Sequence, residues 1–173
     1  MVLPRDYVAQ RCSMARALEV VGERWSLLLV RDAFFGVRLF SDFNRHLRIP
    51  RAVLTERLGF LVSQGVLART PGPGRRREYR LTDKGLALWP VVRSLTEWGD
   101  AHYAPGGPRR VFSHAGCGGD VDAAGRCRRC AEPVSASATV SAPGPGFEHP
   151  GPDCDPVSVA LSRPRSLLRP FPG

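Results

Sequence analysis

Lysine is almost missing from this sequence. Lys84 is the only one among 25 basic residues, so arginine carries nearly all of the net charge of +9. An arginine-only surplus can reflect codon bias and fixes no binding mode, but a pI near 10.3 favours a polyanionic partner. Long apolar runs are also missing. None approaches the ~18 residues that span a bilayer; the longest, around Leu27–Val30, is hemmed in by Arg24, Arg31 and Asp32. The stretch from Met1 to Arg11 lacks the apolar centre of a secretory signal, which predicts a cytoplasmic protein. No phosphate loop, dinucleotide fingerprint, nucleophile elbow or Ser–His–acid set is present, and of the four histidines only His114 has a chemical context. These absences argue against an enzyme.

Texture divides the chain in three. Regular apolar periodicity fills the first part, 1–108. The second, 109–140, is rich in cysteine and glycine. Pro, Gly and Ser dominate 141–173, with runs such as Pro143-Gly144-Pro145-Gly146, and this composition predicts a mobile tail. No internal repeat is evident.

In the first part Met14, Ala17, Leu18 and Val21 recur at helical spacing until Gly22. A nearly all-apolar helix follows from about Arg24 to Phe35, closed by Gly36, and belongs at the centre of a small core. Ser41 offers an N-cap for a short helix through Leu47. Pro50 opens the next helix, which carries Leu54, Leu58 and Leu61 on one face and runs to Gln64 before Gly65. Strand-like Val66–Thr70 and Glu78–Thr82 flank a Gly/Pro turn ending in Arg75, Arg76 and Arg77. Thr82 then caps a long helix through about Tyr103, which Pro90 should bend. The order of four helices, hairpin and helix is that of a winged helix-turn-helix, mainly α with a small β-hairpin. Three consecutive arginines at a hairpin tip repel one another unless an anion relieves them.

The spacing His114-x2-Cys117, nine residues, Cys127-x2-Cys130 brings four metal-type ligands onto two tight turns. That pattern suits a structural Cys3His zinc site, and a region with little core would gain its order from the metal. Free thiols or a redox-active Cys127–Cys130 pair are the alternatives. Cys12 and Cys154 stand apart. Cys12 reads as a small buried hydrophobe or a reactive thiol. Trp25, Trp89 and Trp98 read as core or interface residues, or as the walls of a small-molecule effector pocket near the last helix.

Several stretches resemble the HxlR-type family of bacterial winged-helix regulators, relatives of the MarR type. They are Cys12 with Ala15-Arg16-Ala17-Leu18, Glu23-Arg24-Trp25-Ser26-Leu27-Leu28, Gly36 with Phe40 and Phe43, Leu54-Thr55-Glu56-Arg57-Leu58, Gly65-Val66-Leu67, Glu78-Tyr79-Arg80-Leu81-Thr82-Asp83-Lys84-Gly85 and Trp98-Gly99. The resemblance implies a homodimer on a roughly palindromic operator, joined through the first and last helices. Part of the family also carries a ribbon-like extension resembling 109–140, and some members sense oxidants at the cysteine corresponding to Cys12. The chain departs from the family at Ser13, Leu39, Pro50 and Ala131, where proline, arginine, a small polar residue and glycine are usual.

On this reading the Pro50–Gln64 helix enters the major groove with Arg51, Thr55, Glu56 and Arg57 near its leading end. Arg75, Arg76 and Arg77 reach phosphates or a minor groove. Arg24, Ser26, Ser41, Asn44 and Arg45 are backbone-contact candidates. Two other classes remain open: a thiol- or ligand-responsive sensor using Cys12 or a pocket at the dimer seam, and a winged helix that binds protein.

Overall fold

The computed structural model describes Tyr7 and residues 9–72 and 74–171. Helices α1 (Ser13–Val21), α2 (Ser26–Phe34), α3 (Phe40–Leu47) and α4 (Arg51–Ser63) lead into strands β1 (Leu67–Pro71) and β2 (Arg77–Leu81). Then come α5 (Asp83–Leu86) and α6 (Trp89–Tyr103). The two strands form an antiparallel hairpin from Leu67↔Leu81 to Pro71↔Arg77. This is the winged helix-turn-helix that the periodicity predicts. Its centre holds Leu29, Phe34, Phe43, Leu54, Leu58 and Leu61, all fully buried.

Two local readings change. Leu39, not Ser41, is the N-cap of α3, so Ser41 lies in the first turn. The expected long helix from Thr82 is two helices. Thr82 caps only α5, accepting from the Gly85 N–H, and the chain restarts at Trp89. Pro90 therefore falls in the first turn of α6, where a missing N–H costs nothing, and the expected bend does not arise.

The larger correction concerns 141–173. Its described part, 141–171, is not a loose tail. Strands β3 (Arg110–His114), β4 (Thr139–Pro143) and β5 (Arg165–Ser166) form a second antiparallel sheet, and α7 (Pro156–Leu161) lies between β4 and β5. The expected boundary at 140/141 falls inside β4. Asp155 caps α7 by accepting from the Val157 and Ser158 N–H groups at 3.0 Å, and Pro156 sits in its first turn. Val157, Leu161 and Leu167 are buried. Order here comes from docking on the winged helix: Leu168 N–H donates to the Phe34 carbonyl at 2.7 Å, and Arg38 Nη2 donates to the Leu168 carbonyl at 3.0 Å.

The core is continuous across this seam. Trp89 packs against Phe34, with ring centroids 5.0 Å apart, and against Phe112 of β3 at 5.6 Å. The Arg93 guanidinium lies over Phe112 at 4.2 Å and donates to the Val121 carbonyl. Trp89 is thus a core residue.

Gly36 closes α2 with φ +96°, and a Cβ there would overlap the Arg169 carbonyl. Gly36→Ala should therefore cost about 1–3 kcal/mol in backbone strain and also lift the 165–169 segment off α2. Urea unfolding should show the loss; a midpoint equal to that of the parent would refute this docking.

Candidate nucleic-acid interface and metal centre

The turn between α3 and α4 is fixed from within. Arg48 takes a left-handed φ of 50°, Ile49 is buried, and Asn44 Nδ2 donates to the Ile49 carbonyl at 2.6 Å. Asn44 therefore braces the turn through one Nδ2 hydrogen, with the second left over. With Leu54, Leu58 and Leu61 turned inward, α4 exposes Arg51, Ala52, Thr55 and Glu56. Thr55 Oγ1 donates to the Arg51 carbonyl at 2.9 Å, leaving its methyl and lone pairs outward. The Arg51 guanidinium lies 5.2 Å from the Phe40 ring centroid.

Arg75, Arg76 and Arg77 are all exposed on the wing. Gly72 N–H donates to the Arg76 carbonyl, and Gly74 takes φ +64°, so the tip turns tightly. At its base the buried Glu78 pairs with Arg80 at 2.8 Å and with Arg38 at 3.5 Å. Arg75 and Arg76 border a hollow shared with Asp42 of α3, which places the wing tip beside the helix-turn-helix.

The remaining backbone-contact candidates divide. Arg24, Ser41 and Arg45 are exposed. Ser26 is fully buried with no partner for its hydroxyl, so it cannot reach a phosphate without unfolding the start of α2. Arg57 is pulled aside by Glu56 and Glu23 and lies over the Phe60 ring. Its charge is spent within the chain.

The four cysteine and histidine ligands converge. Their donor atoms lie within 4.8 Å of one another. Cys117 Sγ is 3.5 Å from His114 Nδ1, 3.4 Å from Cys127 Sγ and 3.8 Å from Cys130 Sγ, and Cys130 Sγ is 3.4 Å from His114 Nδ1. A tetrahedral ion with metal–sulfur bonds near 2.3 Å would hold its ligands roughly 3.6–3.8 Å apart, so these four separations lie close to a tetrahedral set. A disulfide needs about 2.05 Å between sulfurs, so none joins Cys127 to Cys117 or Cys117 to Cys130. Two turns present the donors: Gly118 N–H bonds to the His114 carbonyl, and Ala131 N–H to the Cys127 carbonyl. A Cβ at Gly119 would meet Cys127 Sγ at 2.6 Å, so the first turn excludes any side chain there. Ala131 holds φ 60°, the left-handed conformation that explains why glycine suits this place in similar extensions. The backbone N–H of Cys130, against opposing desolvation and with help from that of Arg129, lowers the Cys127 thiol to about 6. A thiolate is the form a metal takes.

Residues 20–106 match the HxlR-like helix-turn-helix model. The chain belongs to that family. The Mycobacterium tuberculosis (strain ATCC 25618 / H37Rv) relative named "Uncharacterized HTH-type transcriptional regulator Rv3095" is 44% identical over 139 residues, which is 79% of this chain and 88% of its own. A match of that length runs past residue 106 into the cysteine-bearing extension. The HTH-type transcriptional regulator YodB of Bacillus subtilis (strain 168) is 31% identical over 99 residues, covering 54% of this chain and 86% of its own. Among solved structures, the putative transcription factor PA1607 shares 43% identity with a TM-score of 0.53, over 55% of this chain and 68% of its own. The redox regulator HypR in its oxidised form shares 30% identity with a TM-score of 0.50, over 53% and 97%. This family member is a winged-helix transcriptional regulator, and its relatives are regulators, not enzymes. No helix among the described residues is long and apolar enough to cross a membrane.

Sequence reading missed two features of this HxlR-type chain. One is the buried Asp32 held between Arg31 at 2.8 Å and His46 at 2.7 Å. The other is Arg110, whose partners lie 31 and 51 residues further on.

Proposed function

We propose that the chain is a sequence-specific double-stranded DNA-binding regulator acting as a homodimer on a palindromic operator in the cytoplasm. The observation that carries this reading is the exposed Arg51–Thr55 end of α4 beside three exposed wing arginines that form no ion pair among the described residues. Arginine at the leading end of such a helix can bond guanine O6 and N7 together, while the wing takes phosphates. A dimer is supported by apolar groups that α1 and α6 leave outside the core: Met14, 71% exposed, with Leu18, Leu95, Trp98 and Tyr103. Met14 and Leu18 of the α1 stripe thus point outward, as an interface would require. At the His114/Cys117/Cys127/Cys130 cluster the ion is zinc, since three thiolates and an imidazole at tetrahedral spacing suit it best.

Fluorescence anisotropy against the DNA upstream of its own gene, with sedimentation in parallel, tests the assembly. Leu95→Glu with Trp98→Glu should give a folded monomer whose operator affinity falls at least about 100-fold, because two half-sites are no longer engaged together. A persistent dimer with parental affinity would sink the α1/α6 seam.

A second reading, thiol sensing at Cys12, has its own observation. Cys12 is exposed at the N-cap of α1, and the backbone N–H groups of Ala15 and then Met14 lower its pKa. HypR, a relative in structure, is a redox regulator. Adding diamide to the same titration should release DNA from the parent and not from Cys12→Ser; release from both would place the sensitivity at the other thiols.

A further inference from the structure

A cavity of about 570 Å³ opens between the winged-helix core and the segment that follows it. Its volume is in the range of small-molecule sites. Arg31 and Phe35 of the core line one side, and Phe147 and Gly151 line the other. Arg110 of β3 lies between them. Its guanidinium sits 5.5 Å from the Phe35 ring centroid and 5.7 Å from that of Phe147. Nε and Nη2 donate to Ser141 Oγ at 3.0 and 2.8 Å, and Nη1 donates to the Leu161 carbonyl.

These are neutral acceptors. The charged neighbours that act on Arg110 are both cations, Arg165 and Arg31; with burial as the larger cause, they lower its pKa to about 10. A guanidinium has five N–H donors, so one on each Nη is left over. The other charges around the cavity are largely paired: Arg31 with Asp32, Arg109 with Glu148 at 2.8 Å, and His46 with Asp32. Asp100 adds one carboxylate to the wall, and His149 packs edge-on to Phe147. Arg110 is half-buried and forms no ion pair among the described residues; holding a partly desolvated cation so is costly, and an anion would complete it.

We propose that this cavity is a binding site for a small aromatic carboxylate, whose ring packs on Phe35 and Phe147 while its carboxylate takes the spare N–H groups of Arg110. The site lies at the junction of core and extension rather than at the dimer seam where the tryptophans pointed. It does not rest on the DNA-binding reading, because its test uses no DNA.

Benzoate is the probe, titrated calorimetrically into the full chain, with benzamide as the uncharged isostere. Benzoate should bind saturably, once per chain, and raise the melting temperature; benzamide should bind at least about tenfold more weakly, having lost the charge-assisted bonds. Arg110→Gln should abolish the preference for benzoate. Should that variant misfold, Gly151→Leu decides: Gly151 lines the cavity and a Cβ there meets nothing within 4 Å, so the backbone accepts a bulky side chain at the rim. It should melt like the parent and bind benzoate at least about tenfold more weakly. No heat with benzoate, equal binding of benzamide, or parental affinity in Gly151→Leu would each overturn the proposal.

Discussion

Replacing Arg75, Arg76 and Arg77 together by glutamine is expected to weaken DNA binding by roughly 10- to 100-fold at moderate salt. It should also reduce the slope of log K against log salt by about 3 for each wing engaged, since each phosphate contact contributes about 0.9. The wing residues are exposed and form no ion pair among the described residues, and the adjacent Glu78 is already held by Arg80 and Arg38. Their charge is free for phosphate, whereas that of Arg57 is not. Arg57→Gln should accordingly leave the salt slope unchanged. Titrations at two or more salt concentrations distinguish the two; an unaltered slope in the triple variant would remove the wing from the interface.

Removing a thiolate from the cysteine cluster should have the largest effect on stability. Cys127 is buried, pairs by a β-bridge with Val121, and belongs to the same apolar core as Phe112, Val121 and Val134. Cys127→Ser, or treatment with a strong chelator, is expected to release one zinc per chain and to lower stability by at least about 3 kcal/mol, roughly 6–12 °C in melting temperature. The loss should spread to the winged helix because Phe112 packs on Trp89. Metal analysis and a melting curve on the same sample check both parts. A metal-free protein that melts normally would show that the four ligands are ordered by hydrogen bonding alone.

Much of the winged helix was legible because α2 and α4 announce both their apolar faces and their ends. Leu54, Leu58 and Leu61 mark the inner face of α4, and Gly36 and Gly65 stop their helices with positive φ. The convergence of His114, Cys117, Cys127 and Cys130 was legible through their spacing. Other features were not. One apolar stripe serves core or interface equally well, so Met14 and Leu18 could not be sorted from Val21 in advance. Proline and glycine hid α7, although Asp155-Pro156 followed by Val157 and Leu161 carries a cap and an i, i+4 pair. Ser26 was hidden for a related reason: a polar side chain at a helix start shows its chemistry, but not whether the core claims it first. Arg110 and its cavity depend on contacts across 31 residues or more, beyond any local pattern.

The bond from Leu168 to Phe34, with Arg38 reaching the same residue across 130 positions, bears on how the protein is made. During synthesis at about 5–20 residues per second, α2 emerges roughly 7–26 s before the segment that braces it. Until then the groove beside Gly36 is open, and the nascent helix-turn-helix holds apolar surface without its final cover. Closure over so long a loop is slow in its own right. The newborn regulator should thus pass through an interval in which its reading head is formed but not yet clamped.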